Sequence, residues 1–289
     1  METASVNLRS PDELRDQLRR MWDGVAPGWA EHAGFADARV AAMTETILDL
    51  AAIEPGGRVL ELAGGPGGTG LAAAARVGVD GEVVISDVSP EMTRIAAARA
   101  DELGVANVRT RVLDLEQIDE PDGSFDAVVC REGLMLVPDP ARAVGEIARV
   151  LRPGGRVALS VWGPRADNPW LGVVFDAVSA QLGVPTPPPG IPGPFSLDDR
   201  DRLAGVLAHA GLASVEIHDV PTPYHAASAE EWWGRTAVLA GPLAERLAAL
   251  PEPEAKAVFA RAVEALRPYE TPAGLAIPGL ALVAAAQKR

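Results

Sequence analysis

The chain has 289 residues, 48% of them hydrophobic, and a formal net charge of −14 from 26 basic and 40 acidic side chains. That length allows one large domain or two small ones, and an acidic balance without any Lys/Arg run argues against nucleic acid as a partner. A single cysteine, Cys130, excludes an internal disulfide and a cysteine-based metal cluster, so no metal is expected. With no long apolar span and a polar, charged N-terminus, a soluble cytoplasmic protein without a membrane partner is the expectation.

Ser10-Pro11-Asp12-Glu13 predicts a capped helix start, with the helix running to about Trp22. The segment APGWAEH (26–32) follows, and apolar residues at helical spacing predict a second helix over about 36–52, stopped by Glu54-Pro55-Gly56-Gly57. Val59–Leu62 is a short apolar run, as expected of a buried parallel strand, with Glu61 near its end. Residues 63–70 are almost free of side chains, and from Thr69 an Ala/Leu-rich stretch can open a helix whose first N–H groups point at an anion. Glu82–Ser86, closed by Asp87, is a second strand, and Ser89-Pro90-Glu91-Met92 opens another capped helix. Strands follow at 107–113, ending on Asp114, at 124–131 and at 156–162, with a helix from Asp139-Pro140 to the RVLRPGG of 149–155. Regular alternation of strand and helix argues a parallel sheet with right-handed crossovers.

After Trp162 the pattern changes. Residues 163–194, with PTPPPGIPGP near the end, read as a stiff loop, and Ser196 as the cap of a helix reaching about Ala210. A sixth strand at 215–220, a capping box Ser228-x-x-Glu231 opening a helix with Trp232 and Trp233, helical segments to about Leu266 and a last strand within 277–286 complete the chain.

Two cofactor classes compete for the glycine-rich turn. Gly65, Gly67 and Gly70 form GxGxxG with Asp87 about 20 residues on, which fits a dinucleotide site and an NAD(P)-dependent oxidoreductase. Glu61 argues otherwise, because a carboxylate there repels a pyrophosphate and attracts a cation.

VLELAGGPG (59–67), SDVSPEM (86–92), LDLE (113–116), SFDAVVCREGLMLVPDP (124–140), RVLRPGGRVALSVW (149–162) and residues 193–217 together resemble the class I S-adenosylmethionine (SAM) methyltransferases. Within that family they are similar to the small-molecule group related to the ubiquinone/menaquinone-biosynthesis C-methyltransferases, with Ala63 where the signature has its first glycine. The resemblance implies an α/β, Rossmann-like, seven-stranded and mostly parallel sheet with helices on both faces. It implies one domain over 1–289: an N-terminal lid (10–52), a SAM-binding core (53–162) and cap inserts at 163–213 and 221–272.

It also implies roles. Glu61 balances the amino group of SAM, Ala63, Gly65 and Gly67 carry the loop under its methionine portion, and Asp87 accepts from the ribose hydroxyls. Val88 and Met92 pack on adenine, Asp114 and Leu115 meet its edge, and Cys130 and Arg131 lie near the sulfonium. Cys130 also reads as a small buried hydrophobe, and Glu132 as a solvent-facing loop residue.

The methyl acceptor is expected to be a small, apolar or aromatic molecule, methylated on oxygen or carbon. If its group is protonated a base is needed, and His32, three residues after Trp29 in the lid, and His225 in the cap are the candidates. Trp29 is expected on cofactor or acceptor, whereas His209 and His218 read as structural or solvent-facing. Trp162, Trp170, Trp232, Trp233, Phe175 and Phe195 could line the pocket, with core packing expected for most and for Trp162 especially. A methyltransferase fold that binds SAM without methyl transfer, such as a cyclase, is the further alternative. Oligomeric state is left open.

Overall fold

The short apolar runs of the sequence become neighbouring strands in a computed structural model, which describes residues 11–188 and 191–289. The expected Ser10 cap, part of the N-terminal segment and Pro189-Gly190 of the Pro-rich loop lie outside the described residues. Helix α1 (Pro11–Glu31) is longer than expected and takes in most of the APGWAEH segment, Pro27 included. Pro27 forfeits one helical hydrogen bond. The helix continues through it while Ala26, flanked by Trp22, Val25 and Trp29, packs on Met92 and Ile95. The expected second helix is two, α2 (Ala33–Arg39) and α3 (Ala41–Leu50), parted at Val40, whose φ of −109° and ψ of 22° leave the helical well.

Then come β1 (Arg58–Glu61), α4 (Gly68–Val77), β2 (Glu82–Asp87), α5 (Pro90–Glu102), β3 (Val108–Val112), β4 (Phe125–Arg131), α6 (Pro140–Val150) and β5 (Leu151–Trp162). Ser89 caps α5 as its sequence requires, its Oγ accepting from Met92 N–H at 3.1 Å. The stretch expected as loop from 163 contains α7 (Pro169–Leu182), because Trp170, Leu171, Val174, Phe175 and Val178 form one buried face behind a Pro at the first turn. Helix α8 (Arg200–His209) is capped by Asp199, whose side chain accepts from Arg202 N–H at 2.8 Å, and not by Ser196, which donates to the Met135 carbonyl. The remainder is β6 (Leu212–Pro221), β7 (Tyr224–Ala226), α9 (Ala229–Leu239), α10 (Pro242–Ala248), α11 (Glu252–Leu266), β8 (Glu270–Thr271), β9 (Gly274–Ile277) and β10 (Leu280–Lys288).

The main sheet has seven strands in the order β3-β2-β1-β4-β5-β10-β6, parallel except for β10, which runs antiparallel to both β5 and β6. The chain leaves β1 toward β2 and β3 on one side and returns to β4 and β5 on the other. A crevice therefore opens beyond the C-terminal ends of β1 and β4. A small second sheet, β7-β9-β8, sits in the late insert and was not legible as strands in the sequence. Central strands are buried on both faces (Val83, Val84, Ile85, Val128 and Val129 are fully covered), as parallel sheets require.

Candidate functional site

The crevice is a cavity whose floor is the strand ends, whose roof is α1 and α2, and whose far wall comes from α7, β7 and α9. Glu61 closes β1 and is 1% exposed. Its Oε2 meets no donor in good hydrogen-bonding geometry, and burial pushes its carboxyl up to about 8, against the pull of Arg131, the Gly70 N–H and the Thr69 hydroxyl. Gly64 and Gly70 fit around that carboxylate. A Cβ on Gly64 would stand 2.8 Å from Oε2, and one on Gly70 would meet the same atom and Ile85. Ala63, at a φ of 50°, and Gly65, at 51°, take the left-handed turn that follows and line the cavity.

Asp87 closes β2 and is held from beneath by two backbone donors, Gly65 N–H and Ser89 N–H, each at 2.9 Å. Burial raises its carboxyl to about 6, and Asp23 adds to the rise. A carboxylate accepts about four hydrogen bonds, so roughly half its capacity is free for a ligand. Val88 and Met92 line the cavity beside it. Asp114, after β3, orients its Oδ1 on Glu116 N–H at 2.8 Å, and Leu115 lines the same wall. Trp29 completes this half from the roof, edge-on to Trp22 at 6.5 Å, with its indole N–H buried and unpartnered.

The other half is aromatic around a cation. Arg39 on α2 lies 3.9 Å over the Trp170 ring and about as far from Tyr224 (5.0 Å) as from Trp162 (5.2 Å), and Nη2 donates to the Thr222 carbonyl. Burial pulls it down to about 10. Arg131, at the end of β4, lines the cavity but is engaged by Asp37 and the Thr44 hydroxyl, both at 3.0 Å, and Asp37 also takes Arg99 at 2.8 Å.

Several expectations need correction. Cys130 does not line the cavity: strand alternation sends Arg131 to it and Cys130 into the core, where burial pushes the thiol up to about 12. Gly67 does not line it either. Its φ of 85° and a would-be Cβ 3.0 Å from Ala96 show that the glycine serves the turn and the packing of α5. His32 is half-buried at the α1–α2 junction, outside the cavity lining, because α1 ends at Glu31. His225 is exposed, since its strand neighbours Tyr224 and Ala226 take the inward face. Trp162 packs in the core as expected, at 5% exposure, and with Trp170 also lines the cavity, whereas Trp232, Trp233, Phe175 and Phe195 stand behind it. Trp232 Nε1 donates to the Trp170 carbonyl at 3.0 Å. Glu132, expected to face solvent, lines the cavity.

Sequence reasoning missed Phe35, Asp37, Arg39 and Tyr224. A signal existed for Phe35 and Arg39, whose i, i+4 spacing puts both on one helical face.

A methyltransferase-domain family matches residues 59–155. The chain is 37% identical over 133 residues to the ubiquinone/menaquinone biosynthesis C-methyltransferase UbiE of Ectopseudomonas mendocina, covering 46% of this chain and 52% of that one. It is 33% identical over 184 residues to the UbiE of Ralstonia pickettii, covering 59% of this chain and 73% of that one. It spans about half the length of the first relatives it matches. The crystal structure of the YcgJ protein of Bacillus subtilis superposes with a TM-score of 0.60 at 23% identity, over 87% of this chain and 98% of that one, and shares its fold.

Proposed function

The chain belongs to the class I SAM-dependent methyltransferases related to the ubiquinone/menaquinone-biosynthesis enzymes, and from this premise we propose that it transfers a methyl group to a small apolar or aromatic molecule. One observation carries the reading: Glu61, Asp87, Met92 and Asp114, contributed by the ends of three neighbouring strands and the helix after the second, line one cavity.

The residues fit the cofactor. A buried carboxylate with an orphan oxygen, Glu61, suits an ammonium group, and Asp87, with acceptor sites left over, suits a pair of ribose hydroxyls. Ala63 and Gly65 give backbone close to the ligand, Trp29, Val88 and Met92 form apolar walls for adenine, and Asp114 and Leu115 meet its polar edge. Arg131 borders the methyl end; Cys130 and Gly67 support the site through packing. When bound, SAM supplies an electrophilic methyl carbon on a sulfonium. The protein's part is to hold the acceptor in line with it and exclude water, which can be worth ~7–11 kcal/mol in favourable systems.

In this reading 10–52 is a lid, 53–162 the cofactor core, and 163–213 with 221–272 the cap that selects the acceptor. Among the described residues no helix is long and apolar enough to cross a membrane, and a cytoplasmic enzyme acting on a small molecule is the consistent proposal. Calorimetric titration with SAM, S-adenosylhomocysteine (SAH) and NAD(P)H tests it. SAM and SAH should bind, Asp87→Ala should lose both, and incubation with aromatic acceptors should release SAH. Binding of NAD(P)H without SAM would overturn the proposal.

A further inference from the structure

Two oppositely charged side chains line the acceptor half of the cavity without satisfying each other. Glu132 has an Oε1 shut off from solvent with no hydrogen-bond partner, and Arg39 has an Nε in the same condition. Among the described residues no ion pair joins them, and Arg131, the other cation near Glu132, is taken by Asp37 and Thr44. The two charges attract each other without a hydrogen bond between them, and a polar atom left without a hydrogen bond in an apolar chamber is costly. Glu132 is also held at a φ of 61°, uncommon for a residue with a side chain, by its N–H donating to the Ser160 carbonyl (3.0 Å) and hydroxyl (3.1 Å). Backbone strain and an unpartnered carboxylate oxygen at one residue of a cavity point to a ligand that completes the arrangement. Trp162, Trp170 and Tyr224 line this part of the cavity, with the Arg39 guanidinium over their rings, and an aromatic lining of this kind suits a flat ligand.

We propose that the acceptor is a phenol or enol on a planar π system, bound with its acidic hydroxyl between Glu132 as proton acceptor and Arg39 as the cation that holds the oxyanion. The proposal rests on the methyltransferase reading above. The Glu132 carboxylate takes the hydroxyl proton, and the resulting oxyanion is neutralised by the Arg39 guanidinium. An oxygen lone pair forms the bond to the methyl carbon while the S–CH3 bonding pair stays on sulfur, turning sulfonium into thioether. The proton rests on Glu132 and passes to solvent when the ether leaves. Raised by burial to about 7, Glu132 is matched to such a transfer.

The experiment uses the full chain saturated with SAH, with 4-nitrophenol as probe, and SAM turnover on a panel of phenols and enols and their methyl ethers. Bound 4-nitrophenol should show the phenolate absorbance band at a pH where the free probe is neutral, and Arg39→Gln should abolish that band. Glu132→Gln should lower turnover of the hydroxyl acceptors ~10²–10⁴-fold with SAH affinity unchanged, which also reports that the variant is folded. Failure of the wild type to bind SAH overturns the methyltransferase reading and this proposal with it. With SAH binding intact, three results overturn the proposal alone: a neutral spectrum for the bound probe, no phenol or enol bound, or wild-type turnover in both variants.

Discussion

Asp23 on α1 accepts a hydrogen bond from the Ser89 hydroxyl at 2.5 Å, and the same carboxylate oxygen faces the Glu91 N–H at 3.3 Å. Ser89 is itself the cap of α5, so the roof helix is pinned to the turn that also orients Asp87. Asp23→Ala should free the roof while leaving the sheet intact. A hydrogen bond to a charged group contributes ~1.5–3 kcal/mol, so SAH affinity should fall roughly ten-fold or more. Calorimetry measures the affinity, and hydrogen exchange should show faster opening of residues 11–31 with the strands unchanged. Exchange unaltered over that helix would mean the pin does not hold it.

Glu61 makes cofactor binding a proton-coupled event. Its carboxyl is pushed up to about 8 by burial, so at pH 7 it is mostly protonated in the ligand-free protein. A cationic ligand draws it into the ionised form and the proton must leave. Titrations with SAH at pH 7 in buffers of different ionisation enthalpy should therefore give different apparent heats. The dependence should disappear in Glu61→Gln, with weakened affinity. Heats independent of buffer in the wild type would show that Glu61 does not change protonation on binding.

Gly70 is there for the carboxylate and not for the turn, since α4 continues straight through it. A methyl group at that position would press on Glu61 and Ile85. Overpacking of this kind costs ~1–3 kcal/mol and exceeds the helix-propensity gain of Ala over Gly, about 1 kcal/mol. Gly70→Ala should lower the melting temperature and weaken SAH binding together. Gly24→Ala, on the open face of α1 with nothing within 4 Å of a new Cβ, should raise stability by roughly 0.5–1 kcal/mol. A thermal scan of the pair separates the steric effect from the propensity effect.

The half of the cavity nearest β1–β3 was legible in the sequence because each residue sits at a fixed offset from a strand end. Apolar runs locate β1 and β2, the alternating VRTRV locates the half-exposed β3, and Glu61, Asp87 and Asp114 follow from their ends. The acceptor half was not. Arg39, Tyr224 and Trp170 come from three elements far apart in the chain and meet only because α2, β7 and α7 fold over the same crevice. Local spacing carries no trace of such a meeting. The helix α7 escaped notice because the prolines after it dominate the composition of 163–194, while its own Trp, Leu, Val and Phe residues fit a buried face. His32 and His225 looked eligible as bases by residue type, and a helix end and a strand alternation took them out of the cavity.

The three acids that line the cavity with raised carboxyls also set how ligand-free stability varies with pH. Burial lifts Asp87 from 3.8 to about 6, Glu132 from 4.5 to about 7 and Glu61 from 4.5 to about 8. Between each unfolded value and its folded value the native state binds more protons than the unfolded chain, so stability falls as pH rises through that window and levels off above it. Glu82, Asp126 and Glu146 are lowered by their arginine partners and act in the opposite sense, but only below the ordinary carboxylate range. Above about pH 5 the cavity acids therefore dominate this balance. The melting temperature of the ligand-free protein should decline from pH 5 to 8. Glu61→Gln, which removes the group with the widest window, should gain on the wild type steadily over that range. A gap between the two that stays constant with pH would mean Glu61 is already ionised in the empty site, and the orphan carboxylate would then need a cationic partner other than a bound cofactor.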